Sequence, residues 1–172
     1  TSGPTYTSST TTTLAEGEFA YLVGTYDKQN MKFYKNETLV SSTPLTTSLR
    51  WVNTAYNWRL GNYGGPFGSG LNARCAISCF HFYNRALSFY IDAANKISYP
   101  GSGTIVYDFI GGYNGTLKND VGFNSSLPND FEFGLSGVDD YIDFGQAGAS
   151  PLDPQTNNYT ANIFFKSLLY SF

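Results

Sequence analysis

The residues able to do chemistry are few and scattered. Hydrolysis of a glycosidic bond needs two carboxyl groups flanking it. The chain holds four Glu: Glu16, Glu18, Glu37 and Glu132. Glu16 and Glu18 have a suitable spacing but lie in a low-complexity entry segment, Glu37 falls in a turn pattern, and Glu132 stands alone. A Ser-His-Asp arrangement would have to recruit His81, the only histidine, which sits between Phe80 and Phe82 and reads as a surface or core-edge residue. These absences point away from an enzyme.

The two cysteines, Cys75 and Cys79, would share one face of a regular strand about 13 Å apart, too far for a disulfide. They read as free, mostly buried thiols, which favours assembly in a reducing compartment. With His81 they would supply at most three ligands on one strand face, too few for zinc. The densest acidic group is Asp139, Asp140 and Asp143, whose hard oxygens would suit calcium. Aspartates in turns also bond their own backbone, which explains the same residues without a metal. No cofactor is expected, with calcium at these three residues as the one candidate. A sugar site needs aromatic platforms and short polar side chains. Tyr56, Trp58, Asn62, Tyr63 and Phe67, around the Gly-rich stretch 62–70, have those types.

The elements that must hold such residues are strands. Of the 172 residues 17% are aromatic and only 13% charged, about half the usual ~25%. Such a chain is neither disordered nor a coiled coil. Tyr, Phe and Thr favour strands, and 18 Gly with 7 Pro supply turns. Strands are predicted over 18–25, 32–34, 38–40, 58–61, 73–83, 131–133, 141–144 and 161–169, with 104–109 a strand or turn. Turns are expected at 35–37 and at Asn114-Gly115, and one helical turn at 84–88. Turn signals about every 10 residues favour an antiparallel β-sandwich. The net charge of −3 comes without a basic patch, so no nucleic-acid partner is expected. No apolar run nears the ~20 residues of a membrane helix, so no membrane partner is expected either. The four N-x-Ser/Thr sequons, at Asn36, Asn114, Asn124 and Asn158, are close to the number chance supplies. The chain opens on Thr1 without an initiator Met, as expected of a trimmed product or a piece of a longer one.

Three segments in order, Leu22-Val23-Gly24-Thr25-Tyr26-Asp27 with Asn30 to Asn36, Trp58-Arg59-Leu60-Gly61-Asn62, and Ala76 to Ser88, resemble the C-terminal half of laminin-G-like, concanavalin A-like jelly rolls. Segments that resemble the N-terminal half follow instead of preceding: Tyr90 to Asn95, Ser98 to Thr104, Tyr107-Asp108 with Tyr113 to Leu117, Ser136 to Phe144, and Tyr159 to Ser167. Openings similar to the 90–104 segment are frequent in virion proteins of marine and cyanobacterial phages. The resemblance implies an all-β, antiparallel jelly-roll β-sandwich, circularly permuted or strand-exchanged with a neighbouring chain. A Thr/Ser-rich arm (1–18) would precede one sandwich (19–172), built from 19–88 and 90–172 with a joint near Ser88-Phe89-Tyr90. The apolar tail, Leu168, Leu169, Tyr170 and Phe172, would make assembly contacts. The implied role is a structural or adhesive virion protein, in capsid decoration or a tail fibre or spike. Its expected partners are other copies, other virion proteins and host-surface polysaccharide. A secreted, extracellular carbohydrate-binding module is the alternative, and a glucanase comes third.

Overall fold

The computed structural model describes residues 17–45, 57–61, 74–84, 86–125, 132–136, 138–146, 152 and 158–167. The described elements are all strands: β1 (Phe19–Tyr26), β2 (Asn30–Lys35), β3 (Thr38–Pro44), β4 (Asn57–Leu60), β5 (Arg74–Asn84), β6 (Ala86–Asp92), β7 (Ile105–Val106), β8 (Gly115–Lys118), β9 (Gly122–Asn124), β10 (Glu132–Ser136), β11 (Tyr141–Gln146) and β12 (Tyr159–Ser167). They form two antiparallel sheets. The larger runs β3-β2-β1-β12-β5-β10-β9, with β6 also pairing β5, and the smaller runs β4-β11-β8-β7.

Strands from 19–88 and from 90–172 pair within the one chain. β12 lies between β1 and β5, β10 pairs β5, and β11 pairs β4. The expected joint at 88–90 is no linker. It lies inside β6, where Phe89 is wholly buried.

An aromatic core fills the space between the sheets. Phe80, Phe82 and Phe89 of the larger sheet meet Phe144 and Ile142 of the smaller. Phe89 and Phe144 meet edge-on across the layers at 5.1 Å, a geometry aromatic rings prefer. Phe82 stacks on Tyr159 at 5.5 Å, and Tyr99 meets Phe133 edge-on at 5.1 Å. Tyr99 keeps its hydroxyl satisfied by donating to the Gly103 carbonyl at 2.8 Å.

Three local features differ from the sequence reading. The described residues of 84–88, Asn84 and Ala86 to Ser88, are strand and not a helical turn. β5 and β6 continue as a hairpin paired as far as Asn84 and Ala86. A bulge there makes Ser88 an extra residue in the register, and its hydroxyl donates to the Phe82 carbonyl at 3.2 Å. Asn114-Gly115 is not a tight turn, because Gly115 opens β8. A Cβ on Gly115 would lie 2.6 Å from Cε1 of Phe144, so this glycine serves close packing between neighbouring strands. Third, β5 is not regular. Phe164 pairs Cys79 and Phe165 pairs Ile77, which leaves Ser78 as an extra residue. The Ser78 carbonyl instead accepts from the Ala93 N–H at 2.8 Å. This bulge inverts the alternation: Cys75 and Ile77 face the core before it, and Phe80 and Phe82 after it. Cys75 and Cys79 therefore lie on opposite faces, and the expected Cys75–Cys79–His81 row does not form.

The turn at 35–37 is as expected. Asn36 and Glu37 adopt φ of 46° and 68°, as a two-residue hairpin turn requires. Asn36 also accepts from the Tyr21 N–H at 2.9 Å through its side chain.

The wholly buried Phe82 joins the two sheets through its neighbours. Phe82→Ala is expected to lower unfolding free energy by about 3–5 kcal/mol, read as a shifted midpoint with unchanged slope in urea melts.

Candidate functional site

The face of the larger sheet turned away from the core carries aligned polar and aromatic rows. In one row, Lys32, Thr25, Thr160 and Tyr83 lie side by side on β2, β1, β12 and β5. In the next, Tyr34, Val23, Asn162, His81 and Tyr90 align across β2, β1, β12, β5 and β6. The third sets Tyr21, Phe164, Cys79 and Asp92 together. Burial holds His81 below its usual pKa, partly offset by Asp92, so the ring is neutral at neutral pH. It meets Tyr90 edge-on at 4.2 Å. The Tyr90 hydroxyl donates to Asp92 at 3.0 Å, and burial with this bond pushes its pKa up to about 12.

The first row opens into a cleft of about 510 Å³ where the β1–β2 turn meets the start of β12. Tyr26, Tyr83 and Tyr159 are among its lining residues, with the Tyr159 ring stacked on buried Phe82 at the core side. Tyr26 and Tyr159 pair across β1 and β12 with rings 5.8 Å apart, and Tyr26 is almost wholly buried. Tyr83 is 36% exposed. Thr25, Thr160 and Asn158 add small hydrogen-bonding groups, and Asp27 with Lys28 adds charge. Aromatic surface with a few converging polar groups is the usual make-up of a small-ligand site.

Asp27 is already engaged. Its Oδ1 accepts from the N–H groups of Gln29 and Asn30, and its Oδ2 pairs with Lys32 at 2.9 Å. Lys32, then the backbone bonds, draw its pKa down to about 2.

The acidic residues singled out from the sequence are likewise structural or separate. Asp140 is 2% exposed and accepts from both the N–H and the hydroxyl of Ser136. Asp139 is exposed, and its main-chain carbonyl accepts from the Asn119 amide at 3.0 Å. Asp143 accepts from the Gly145 N–H at 2.9 Å and lines a second open hollow, of about 450 Å³, on the smaller sheet. The three carboxylates are not brought together, and among the described residues no three His, Cys, Asp or Glu converge as metal ligands. Glu132 is buried and pairs with Lys166 at 2.8 Å, and the Lys166 ammonium also lies 4.8 Å from the Phe19 ring centroid. Glu18 and Glu37 sit at hairpin ends, and Glu16 lies outside the described residues.

Trp58 falls on β4. Tyr56, Asn62, Tyr63 and Phe67 lie outside the described residues, as do Leu168, Leu169, Tyr170 and Phe172. The cleft at Tyr83 uses other residues. Its partners are remote in sequence, and only the β1–β12–β5 register joins them. Four polar or aromatic residues, Thr25, Tyr26, Asp27 and Lys28, were nonetheless visible together at a predicted strand end.

Two titrations test this picture. Asp27 is expected to titrate near pH 2. Its lowered folded pKa stabilises the fold above the unfolded value of about 3.9, and that contribution is lost as pH falls through about 2. Carboxyl-resolved NMR would read it. Burial pushes Cys75 up to about 12 and Cys79 up to about 11. Both thiols should therefore resist a thiol reagent at pH near 8 until the chain is unfolded, and fast labelling of the native protein would contradict their placement.

The family model for laminin-G-type domains of the concanavalin A-like lectin/glucanases superfamily matches residues 1–89. No curated protein and no solved structure matches the chain. The matched part includes β1 to β5 and the cleft residues Thr25 to Lys28 and Tyr83. With just over half of its 172 residues matched and an all-strand, two-sheet architecture, the chain belongs to the concanavalin A-like lectin/glucanases superfamily.

Proposed function

We propose that the protein is a non-catalytic, adhesive carbohydrate-binding module that holds glycan in the Tyr83 cleft. The observation that carries this is the cleft itself, where an exposed tyrosine ring stands beside Thr25, Thr160 and Asn158. A sugar ring stacks its C–H face on the aromatic, and its hydroxyls bond the small polar groups. The non-catalytic part draws support from the acids, since Glu132 is paired with Lys166 and Asp27 is tied to Lys32 and two backbone amides.

The setting we propose is a bacteriophage virion, in capsid decoration or a tail fibre or spike, facing host-surface polysaccharide. This rests on the resemblance of residues 90–104 to the openings of phage virion domains. The same resemblance supports a circularly permuted order, in which β6 joins what are elsewhere the last and first strands. Other copies of the chain or other virion proteins are the proposed assembly partners.

Glycan-array screening of the full chain, with Tyr83→Ala beside it, tests the binding site. The expected result is selective glycan binding that falls at least about tenfold in the variant, the scale of one lost aromatic anchor, while thermal stability is kept. Binding indifferent to Tyr83→Ala would overturn the site. Hydrolysis of a β-glucan that disappears in Glu132→Gln would overturn the non-catalytic assignment.

A further inference from the structure

We infer that the glycan held in this cleft is acidic, and that Lys28 receives its anionic group. The inference rests on the carbohydrate reading of the cleft and names the class of sugar.

Three observations lead to it. Lys28 lines the cleft from the β1–β2 turn, is exposed, and makes no ion pair among the described residues. Among the described residues its neighbour Asp27 is the only carboxylate on the cleft wall. That carboxylate is already neutralised by Lys32 at 2.9 Å and holds two backbone N–H groups. The Asp27–Lys32 pair is internally balanced, so among the described residues of the cleft the Lys28 ammonium is the one positive charge without a counter-charge.

That local charge runs against the chain as a whole, whose net charge is −3. The other lysine at the far end of this face, Lys166, is matched by Glu132 at 2.8 Å. Lys28 therefore differs from both lysines that share the sheet face: among the described residues its charge has no ion-pair partner, and it lines the cleft. An ammonium is a compact point charge with three donors on a flexible stem, suited to an anion of any geometry. A uronate carboxylate, a sulfate or a phosphate ester on the sugar shares this chemistry. With the ring on Tyr83 and hydroxyls at Thr25, Thr160 and Asn158, the anionic substituent would point to the turn.

Titration calorimetry on the full chain tests this with three probes: a uronic-acid oligosaccharide, a sulfated oligosaccharide, and a neutral oligosaccharide of similar length. At least one acidic probe is expected to bind about five- to tenfold tighter than the neutral one at low salt, the range of a single charge-assisted contact. The difference should shrink as salt is raised. Lys28→Gln should remove the preference, Lys28→Arg should keep it, and Tyr83→Ala should weaken all three probes. Which acidic probe binds tells carboxylate from sulfate. Equal binding of neutral and acidic probes, or a preference unchanged in Lys28→Gln, overturns the inference while the carbohydrate reading stands. No binding of any glycan by the unaltered chain overturns that reading itself, and this inference with it.

Discussion

Strand β12 pairs along its length with two strands at once, eight of its residues facing β1 and nine facing β5. The chain enters β1 near its start and reaches β12 only near its end, so this pairing closes a long loop. Closing so long a loop costs more entropy than the local hairpins β1–β2–β3 and β5–β6 do. The consequences extend through the larger sheet. Only with β12 in place do β1–β3 and β5 belong to one sheet, and only then do Tyr26, Tyr159 and Phe82 stack as a continuous aromatic row. The Tyr83 cleft exists for the same reason, since Thr25, Thr160 and Tyr83 are neighbours through β12 alone.

The acidic side chains in the described part serve mainly to organise turns. Asp108 accepts from the N–H groups of Tyr90, Ile110, Gly111 and Tyr113, which binds the loop after β7 to β6. Asp140 closes the approach to β11 on Ser136, and Asp27 closes the β1–β2 turn. Charge-assisted bonds to backbone amides are strong, and they satisfy donors that an irregular loop would otherwise leave unpaired. A chain with so few charges thus uses its carboxylates as loop fasteners.

The two faces of β5 show how sheet architecture redistributes residues. The bulge at Ser78 turns Cys75 inward and Cys79 outward, and Phe80 and Phe82 inward in place of their neighbours. Without that bulge the long strand could not supply apolar side chains to the core on both sides of its midpoint. His81 stands on the polar face as a result, against Tyr90 and opposite Asn162.

The amino-acid sequence alone determined the strand content, most strand positions and the hairpin turn at Asn36-Glu37. These follow from side-chain types and local alternation, which act over a few residues. The tertiary structure alone decided what becomes of each chemical group. The β5 bulge separated two cysteines that regular spacing put on one face, because one extra residue reverses every later side chain. Asn84 to Ser88, which looked like a helical turn, became the end of a hairpin, because Phe89 is buried at the core and draws β6 along β5. The three grouped aspartates were dispersed, since Asp140 points inward to Ser136 while Asp139 and Asp143 face elsewhere. The cleft was hidden because its walls come from both ends of the chain. Pairing register between strands distant in sequence is set by the packing of the whole core, and no local pattern contains it.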